Sequence, residues 1–302
     1  MGRVSPTIWL VLGGLFVIWI FFRWQARRES HGQEPLVRTA MLRNRQLTGG
    51  LTMFFFQFLV QAGFFFVVPL FLSVALGLSA IETGVRLLPL SVTLLAAAIG
   101  IPKLFPDVSP RLVVRAGLLS LLAGTVVLLG ALDADAGAEV VFMPMLLVGL
   151  GIGSLASQLG AVTVSAVPDD QSPEVGGVQN TMTNLGASLG TALAGSLLIA
   201  TLTSAFLTNV QQSQAIPASA KEQAQVELAG GIPFISDADL EAALDETGAS
   251  SETTDAALDA YADARLAGLR SALAILAVLT VLALFFAQMI PKRPPGSVER
   301  RE

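Results

Sequence analysis

The hydrophobic residues of this chain gather into seven long blocks separated by short polar stretches. An α-helix needs about twenty apolar residues to cross the hydrocarbon core of a bilayer. In lipid the backbone must also satisfy its own hydrogen bonds, so such blocks are helical. The pattern therefore predicts an all-α integral membrane protein with seven transmembrane helices. The predicted spans are Ile8–Phe22, Leu51–Leu76, Gly84–Ile101, Leu112–Leu132, Val140–Gly160, Thr181–Leu207 and Leu269–Met289.

The first block has the length of a signal peptide but lacks a small-residue cleavage site. Arg23, Arg27 and Arg28 follow it and resemble a stop-transfer flank. We therefore interpret 6–24 as a true transmembrane helix and 25–47 as an arginine-rich linker.

Basic residues predict the orientation of the chain, because they concentrate in the short cytoplasmic loops of membrane proteins. In a seven-span arrangement, one side holds thirteen of the 18 Lys and Arg residues. We expect a multi-pass protein of the inner or plasma membrane with the N-terminus outside and the C-terminus in the cytoplasm. The thirteen residues are Arg23, Arg27, Arg28, Arg38, Arg43, Arg45, Lys103, Arg111, Arg115, Lys292, Arg293, Arg300 and Arg301.

The same reasoning divides the rest of the chain. The predicted segments are five transmembrane helices (48–207), an acidic extracytoplasmic loop (208–264), the last transmembrane helix (265–290) and a cytoplasmic tail (291–302).

The acidic loop contains eleven Asp and Glu residues and only one basic residue, Lys221. Ser236 and Asp239 have the spacing of a capping pair for a short amphipathic helix. A second helix is predicted from about Thr254 into the last span. We expect a solvated loop with partial helix.

The sixth span carries small residues at four-residue spacing, which lets two helices approach closely in lipid. Gly186, Gly190 and Ala194, together with the neighbouring Gly195, are predicted to pack this helix against another. The glycines of the fifth span, Gly149 and Gly153, are predicted to do the same.

Beside this small face, the sixth span has a polar face formed by Asn180, Asn184, Ser188 and Thr191. Amides are costly in lipid, so this face is expected to point into a bundle or a water-filled cavity. The asparagines are equally compatible with capping or joining helices near the cytoplasmic boundary.

Further cavity candidates lie on other spans. Gln57 and Gln61 share one face of the phenylalanine-rich second span. This suits either a site for lipophilic cations, or interhelical hydrogen bonds by the glutamines with the phenylalanines facing lipid. Gln158 is a candidate on the fifth span. Arg86, near the outer end of the third span, is compatible with snorkelling to the interface or with facing the cavity.

The sequence offers no constellation for catalysis. It has no cysteine, a single histidine (His31) and no Walker loop, and no carboxylate lies centrally in a span. We therefore expect neither an enzyme nor a metal or cofactor.

Several segments resemble the fourteen-span drug:proton antiporters of the major facilitator superfamily. They are Glu34-Pro35-Leu36 and Leu42-Arg43-Asn44-Arg45, Gly77-Leu78-Ser79, Thr83-Gly84-Val85 and Leu87-Leu88-Pro89, the block from Gly149 to Val167-Pro168, and Gly176-Gly177 to Gly195. Arg86 departs from the pattern, which generally has an uncharged residue there.

The resemblance implies that the chain corresponds to the eighth to fourteenth helices of that family: one extra span followed by the six-helix C-terminal half. It implies a proton-coupled multidrug efflux permease for lipophilic or cationic compounds. The expected partners are the lipid bilayer, such a substrate, and the N-terminal half or a second copy, but not nucleic acid. The alternative is a non-transporting remnant or an interaction partner of a full-length carrier.

Overall fold

The computed structural model describes residues 6–33, 36–133, 136–228, 230–246 and 248–293. Within these ranges the chain is helical, with short turns and no strand. Glu34 and Pro35 of the family-like linker, and Arg300 and Arg301 of the tail, lie outside the described residues.

Seven of the helices are long and apolar enough to cross a membrane, which confirms the predicted all-α membrane fold. The shortest of them has 22 residues, which corresponds to about 33 Å at the α-helical rise. They are α1 (Pro6–Ser30), α2 (Arg45–Leu70), α3 (Ala80–Leu104), α4 (Pro110–Ala131), α5 (Phe142–Val164), α6 (Ser172–Gln212) and α9 (Ser251–Phe286). Two short helices, α7 (Ala218–Glu227) and α8 (Asp237–Glu246), connect α6 to α9.

Polar side chains fix where two of the long helices begin. Asn44 accepts hydrogen bonds from the backbone N–H groups of Gln46 (2.9 Å) and Leu47 (3.3 Å) and so caps α2. At α3, the Ser79 hydroxyl accepts from the Glu82 N–H (3.3 Å) while the Glu82 carboxylate accepts from the Ser79 N–H (2.9 Å). This reciprocal pair is a capping box.

Six of the long helices form two rows. The front row runs in the order α6, α2, α5, α3, and the back row consists of α9 and α4. α2 packs along α6 and also touches α9 and α5, while α5 packs along both α3 and α4. The outer helices of the front row, α6 and α3, therefore each pack against only one neighbour within that row.

Glycines bring the helices of the front row into backbone contact. A Cβ atom on Gly186 would lie 2.3 Å from the Phe55 carbonyl oxygen, and one on Gly190 would lie 2.0 Å from that of Leu59. No side chain fits at such distances, so α6 rests directly on the backbone of α2. Ala194 continues this buried line.

The same device joins α5 to α3. A Cβ atom on Gly149 would lie 2.2 Å from the Leu90 carbonyl oxygen, and one on Gly153 would lie 2.3 Å from that of Leu94.

α1 lies apart from the two rows. Its side chains are almost all exposed, and it contacts the rest of the described chain mainly at the 3₁₀ turn Thr39–Arg43. The buried Gln25 accepts a hydrogen bond from the Leu36 N–H (2.9 Å), and the Thr39 hydroxyl donates to Glu29 (2.7 Å). α1 continues to Ser30, past the predicted end at residue 24. The backbone hydrogen bonds of a helix are satisfied in water as well as in lipid, so the helix does not have to end where the apolar block ends.

The acidic region is more ordered than the sequence suggests. α6 has 41 residues, or about 60 Å, which is twice the thickness of a bilayer core. It therefore extends beyond the predicted end at Leu207, whereas α9 begins at Ser251 and runs into the last span, close to the helix predicted from about Thr254. The Ser236–Asp239 cap is present, with the Asp239 N–H donating to the Ser236 hydroxyl (3.2 Å).

A small apolar core holds these extensions together and corrects the expectation of a solvated loop. The rings of Phe206 and Tyr261 meet edge to face at 5.8 Å. The Tyr261 hydroxyl donates to the Pro233 carbonyl (2.8 Å) and accepts from the Ile235 N–H (2.9 Å). The buried Arg265 pairs with Asp237 at 2.8 Å. The core forms because apolar residues recur at helical spacing on both extensions, a pattern that the high content of acidic residues obscures.

Candidate functional site

The middle of α2 presents an amide among aromatic rings. Phe54, Phe58, Gln61 and Phe65 follow one another at three- and four-residue spacing, and each is half-buried or exposed. Gln61 lies sixteen residues, or about 24 Å, after the start of the 31-residue span Arg45–Ala75, which places it near the middle of that span. We call these four residues the α2 stripe. The described helices leave the stripe partly uncovered.

The two glutamines predicted together on α2 occupy different environments. Gln57 is 4% exposed, whereas Gln61 is half-buried on the stripe. Gln57 comes two turns after Gly50, which lies against Thr163 of α5, so it faces the α2–α5 boundary.

Both glutamines share an unmet hydrogen-bonding capacity. The side-chain oxygens of Gln57 and Gln61 are buried and have no hydrogen-bond partner among the described residues. A buried acceptor without a partner costs about 1–3 kcal/mol. Such groups mark either a local weakness or a position that another molecule completes.

The polar face of α6 lies outside the bundle. Asn180, Asn184, Ser188 and Thr191 are all exposed. The Asn184 amide donates to the Asn180 side-chain oxygen (2.7 Å) and backbone carbonyl (2.9 Å), so these two asparagines bind each other rather than a neighbouring helix.

The packing residues of α6 lie on its other side. Gly186, Gly190 and Ala194 are buried, and a Cβ atom on Gly195 would lie 3.3 Å from the Phe66 ring of α2. One side of α6 therefore rests on α2, and its polar side faces away.

Arg86 and Gln158 are not assembled with the α2 stripe. Arg86 is six residues from the start of α3, about 9 Å along the helix, and is therefore near one end of the membrane layer. It is exposed and lines an apolar groove of about 460 Å³ with Phe142 and Leu146 of α5. Gln158 is half-buried and donates to the adjacent Ser157 hydroxyl (3.2 Å).

A polar network at the arginine-rich end was not predicted. Arg38 of the linker pairs with Asp170 (3.3 Å) and Glu174 (3.4 Å). The Gln46 side-chain amide donates to the Val162 carbonyl (2.8 Å), and that of Asn44 donates to the Ala166 carbonyl (2.7 Å). The network fastens the linker and the start of α2 to the α5–α6 turn. The sequence did place Arg38 on the same predicted side of the membrane as Asp170 and Glu174, which was the one indication that these residues could pair.

Comparison with known proteins places this bundle in a family. Residues 4–191 match the Major Facilitator Superfamily, which covers more than half of the chain. The chain belongs to the Major Facilitator Superfamily. Members of this superfamily are membrane transporters rather than enzymes, so the seven-helix chain is a multi-pass membrane protein.

Relatives within the superfamily carry names that refer to export, transport or efflux. The chain is 29% identical over 202 residues to the tetracenomycin C resistance and export protein of Streptomyces glaucescens, a match covering 65% of this chain and 37% of the relative. It is 26% identical over 196 residues to a probable actinorhodin transporter of Streptomyces coelicolor (64% and 34%). It is 25% identical over 195 residues to the multidrug efflux pump LfrA of Mycolicibacterium smegmatis (64% and 36%). The matched region thus spans about a third of each relative.

Because the Gln57 oxygen has no partner, the same substitution to leucine should change stability in opposite directions at two positions of α2. Gln57→Leu removes a buried acceptor that has no partner, so we expect it to raise the free energy of unfolding by about 1 kcal/mol. The measurement is the temperature of thermal unfolding in detergent, which should rise. Gln46→Leu is the matched control. It deletes hydrogen bonds to the Val162 carbonyl and the Ser165 hydroxyl, so we expect it to destabilise by a similar amount. Destabilisation by Gln57→Leu would show that its oxygen has a partner.

Proposed function

We propose that this chain supplies one half of a secondary-active drug exporter, with the α2 stripe forming part of the wall of the substrate pathway. The observation that carries the proposal is an amide set among phenylalanine rings at mid-membrane depth, on a surface that the described helices leave partly open. The names of the relatives, which refer to antibiotic export and multidrug efflux, support it.

The chemistry of the stripe suits lipophilic, cationic compounds. Phenylalanine faces attract cations and bury apolar surface. The half-buried Gln61 side chain carries an amide, which can donate a hydrogen bond to a polar group of the substrate or accept one from it. Such a wall binds through shape and a few polar contacts, which is suited to a range of compounds rather than one.

The other wall must come from a second half. Transporters of this type bind substrate between two halves and alternate access by moving one half against the other. We assign the seven helices to the eighth to fourteenth of a fourteen-span antiporter, with α1 as the extra span beside the bundle. The exposed polar face of α6, with Asn180, Asn184 and Thr191, then borders the second half. That half is carried on the same polypeptide or on another one, or is a second copy.

The proton gradient is the proposed energy source. Proton carriers relay through carboxylates inside the membrane. The predicted spans of residues 48–207 hold no acidic residue, because their carboxylates lie in the turns and at the helix ends. The proton-binding carboxylate is therefore assigned to the second half.

The same lack of carboxylates favours a second candidate function. A chain without its own proton site could serve as a non-transporting partner that binds a full-length carrier. Transport by the chain together with an N-terminal half separates the two, because a partner of this kind adds no pathway of its own.

Efflux of a fluorescent cationic dye tests the proposed pathway. In cells lacking other pumps, we expect efflux when the chain is co-expressed with an N-terminal half of this type, and none with the chain alone. Gln61→Ala should lower the rate about fivefold, which corresponds to the loss of one hydrogen bond. Gln211→Ala, the same change on the exposed extension of α6, is the control and should leave the rate unchanged.

Two results would contradict this assignment. Equal rates for the two alanine variants would remove Gln61 from the pathway, and full efflux by the chain alone would remove the need for a second half.

The proposed orientation places the arginine-rich end in the cytoplasm of the cell and the α7–α8 region outside the plasma membrane. Because the chain has no cysteine, a single introduced thiol reports its own side. In intact cells a membrane-impermeant maleimide should label Asp245→Cys on α8 and should not label Arg43→Cys until the cells are opened; both positions are exposed. The reverse labelling would invert the chain in the membrane.

A further inference from the structure

The arginine-rich end of α4 contains a basic pocket that plays no part in the proposed drug pathway. Its volume is about 290 Å³. It combines the start of α4 with the chain that follows α9. Its lining residues are Ser109, Arg111, Leu112, Arg115 and Lys292.

The cationic side chains of this pocket are not neutralised by carboxylates of the described residues. The Arg111 Nε donates to the Ile290 carbonyl (2.6 Å), which holds this guanidinium in place. Arg115 and Lys292 are exposed, and the structure gives neither an ion pair nor a hydrogen bond to their side chains among the described residues. Asp107, the acidic residue of the preceding turn, does not line the pocket. Three cations thus share one small cavity without a carboxylate in its lining.

An apolar groove adjoins the basic pocket. It has a volume of about 300 Å³ and lies between the last turn of α3 and the first turns of α4, with Ser154 of α5 at its floor. Leu112 lines both cavities, so the two lie side by side. The other lining residues are Ile101, Phe105, Val108, Val113 and Ala116.

We propose that this composite cavity is a binding site for an anionic phospholipid, with the phosphate in the basic pocket and one acyl chain in the groove. Guanidinium and ammonium groups bind phosphate through charge-assisted hydrogen bonds. The pocket lies where α4 begins, which is the depth at which a lipid carries its headgroup. The adjoining apolar groove distinguishes a lipid from a soluble phosphate compound, which would use the cations alone. A cationic drug is disfavoured, because all three charges would repel it.

Native mass spectrometry of the purified chain, with phosphatidylglycerol and phosphatidylcholine supplied in equal amounts, tests the site. The wild type should retain one phosphatidylglycerol in preference to phosphatidylcholine. Arg115→Gln with Lys292→Gln should lower its affinity by about twenty-five-fold, since each cation near an anionic lipid contributes about fivefold. Both side chains are exposed and unbonded, so the fold should be retained, and helix content by circular dichroism checks this.

A matched pair of substitutions separates a defined site from general surface charge. Arg43→Gln with Arg45→Gln removes the same charge from two exposed positions at the same end of the bundle. This control should retain the lipid as the wild type does. Equal losses for the two double variants would overturn the proposal, because diffuse attraction to the whole basic surface would then account for binding.

The groove is tested separately from the charges. Ala116→Phe fills the groove without changing the charge, and we expect at least a fivefold loss of phosphatidylglycerol. Glycerol phosphate, which has the headgroup chemistry without acyl chains, should not displace the lipid at equal concentration. Unchanged lipid binding by Ala116→Phe, or displacement by glycerol phosphate, would show that a phosphate group alone is recognised and would contradict the lipid assignment. None of these readouts depends on transport.

Discussion

Backbone contact between helices is the constraint on which the rest of this structure depends. Lipid tails provide no hydrophobic force to press apolar helices together, so close packing must hold them. Gly186 and Gly190 set α6 on the carbonyl groups of α2, and Gly149 and Gly153 set α5 on those of α3. These two contacts fix the outer pairs of the front row and thereby determine which faces of α2 and α6 remain uncovered.

The functional assignment follows from that geometry. Because the small residues of α6 pack against α2, the asparagines on the other side of this helix face away from the bundle. α2 is covered on the sides of α6, α9 and α5, which leaves its stripe of phenylalanines and Gln61 partly open. If these faces bordered lipid, the amides of Gln61 and of the α6 asparagines would lie in an apolar environment at a cost in free energy. Against a second half, the same faces form one wall of a cavity. The basic pocket at α4 lies in a different part of the bundle, and its proposed ligand is a membrane lipid rather than the transported compound.

Much of the fold could be predicted from the sequence, because the bilayer imposes length and polarity on every span. Block length predicted the seven helices, which the structure confirms. The relation between Gln57 and Gln61 could not be predicted, because four-residue spacing places both on one face while the neighbouring helices decide which is buried. The core around Phe206 and Tyr261 was missed because composition alone describes that region as acidic and solvated. The Arg38 ion pairs join positions more than 130 residues apart, so their pairing requires the fold.

Reactivity at matched depths tests the central claim that the α2 stripe borders a water-accessible pathway, whereas the outward face of α9 borders lipid. α9 runs antiparallel to α2, and Gly63 of α2 lies against Leu276 of α9. Phe65, two residues after Gly63, therefore lies at a depth similar to that of Ala274, two residues before Leu276. Both side chains are exposed. In membranes that hold the chain with its second half, a hydrophilic thiol reagent should modify Phe65→Cys at least tenfold faster than Ala274→Cys. Equal rates, or faster modification of Ala274→Cys, would contradict the account.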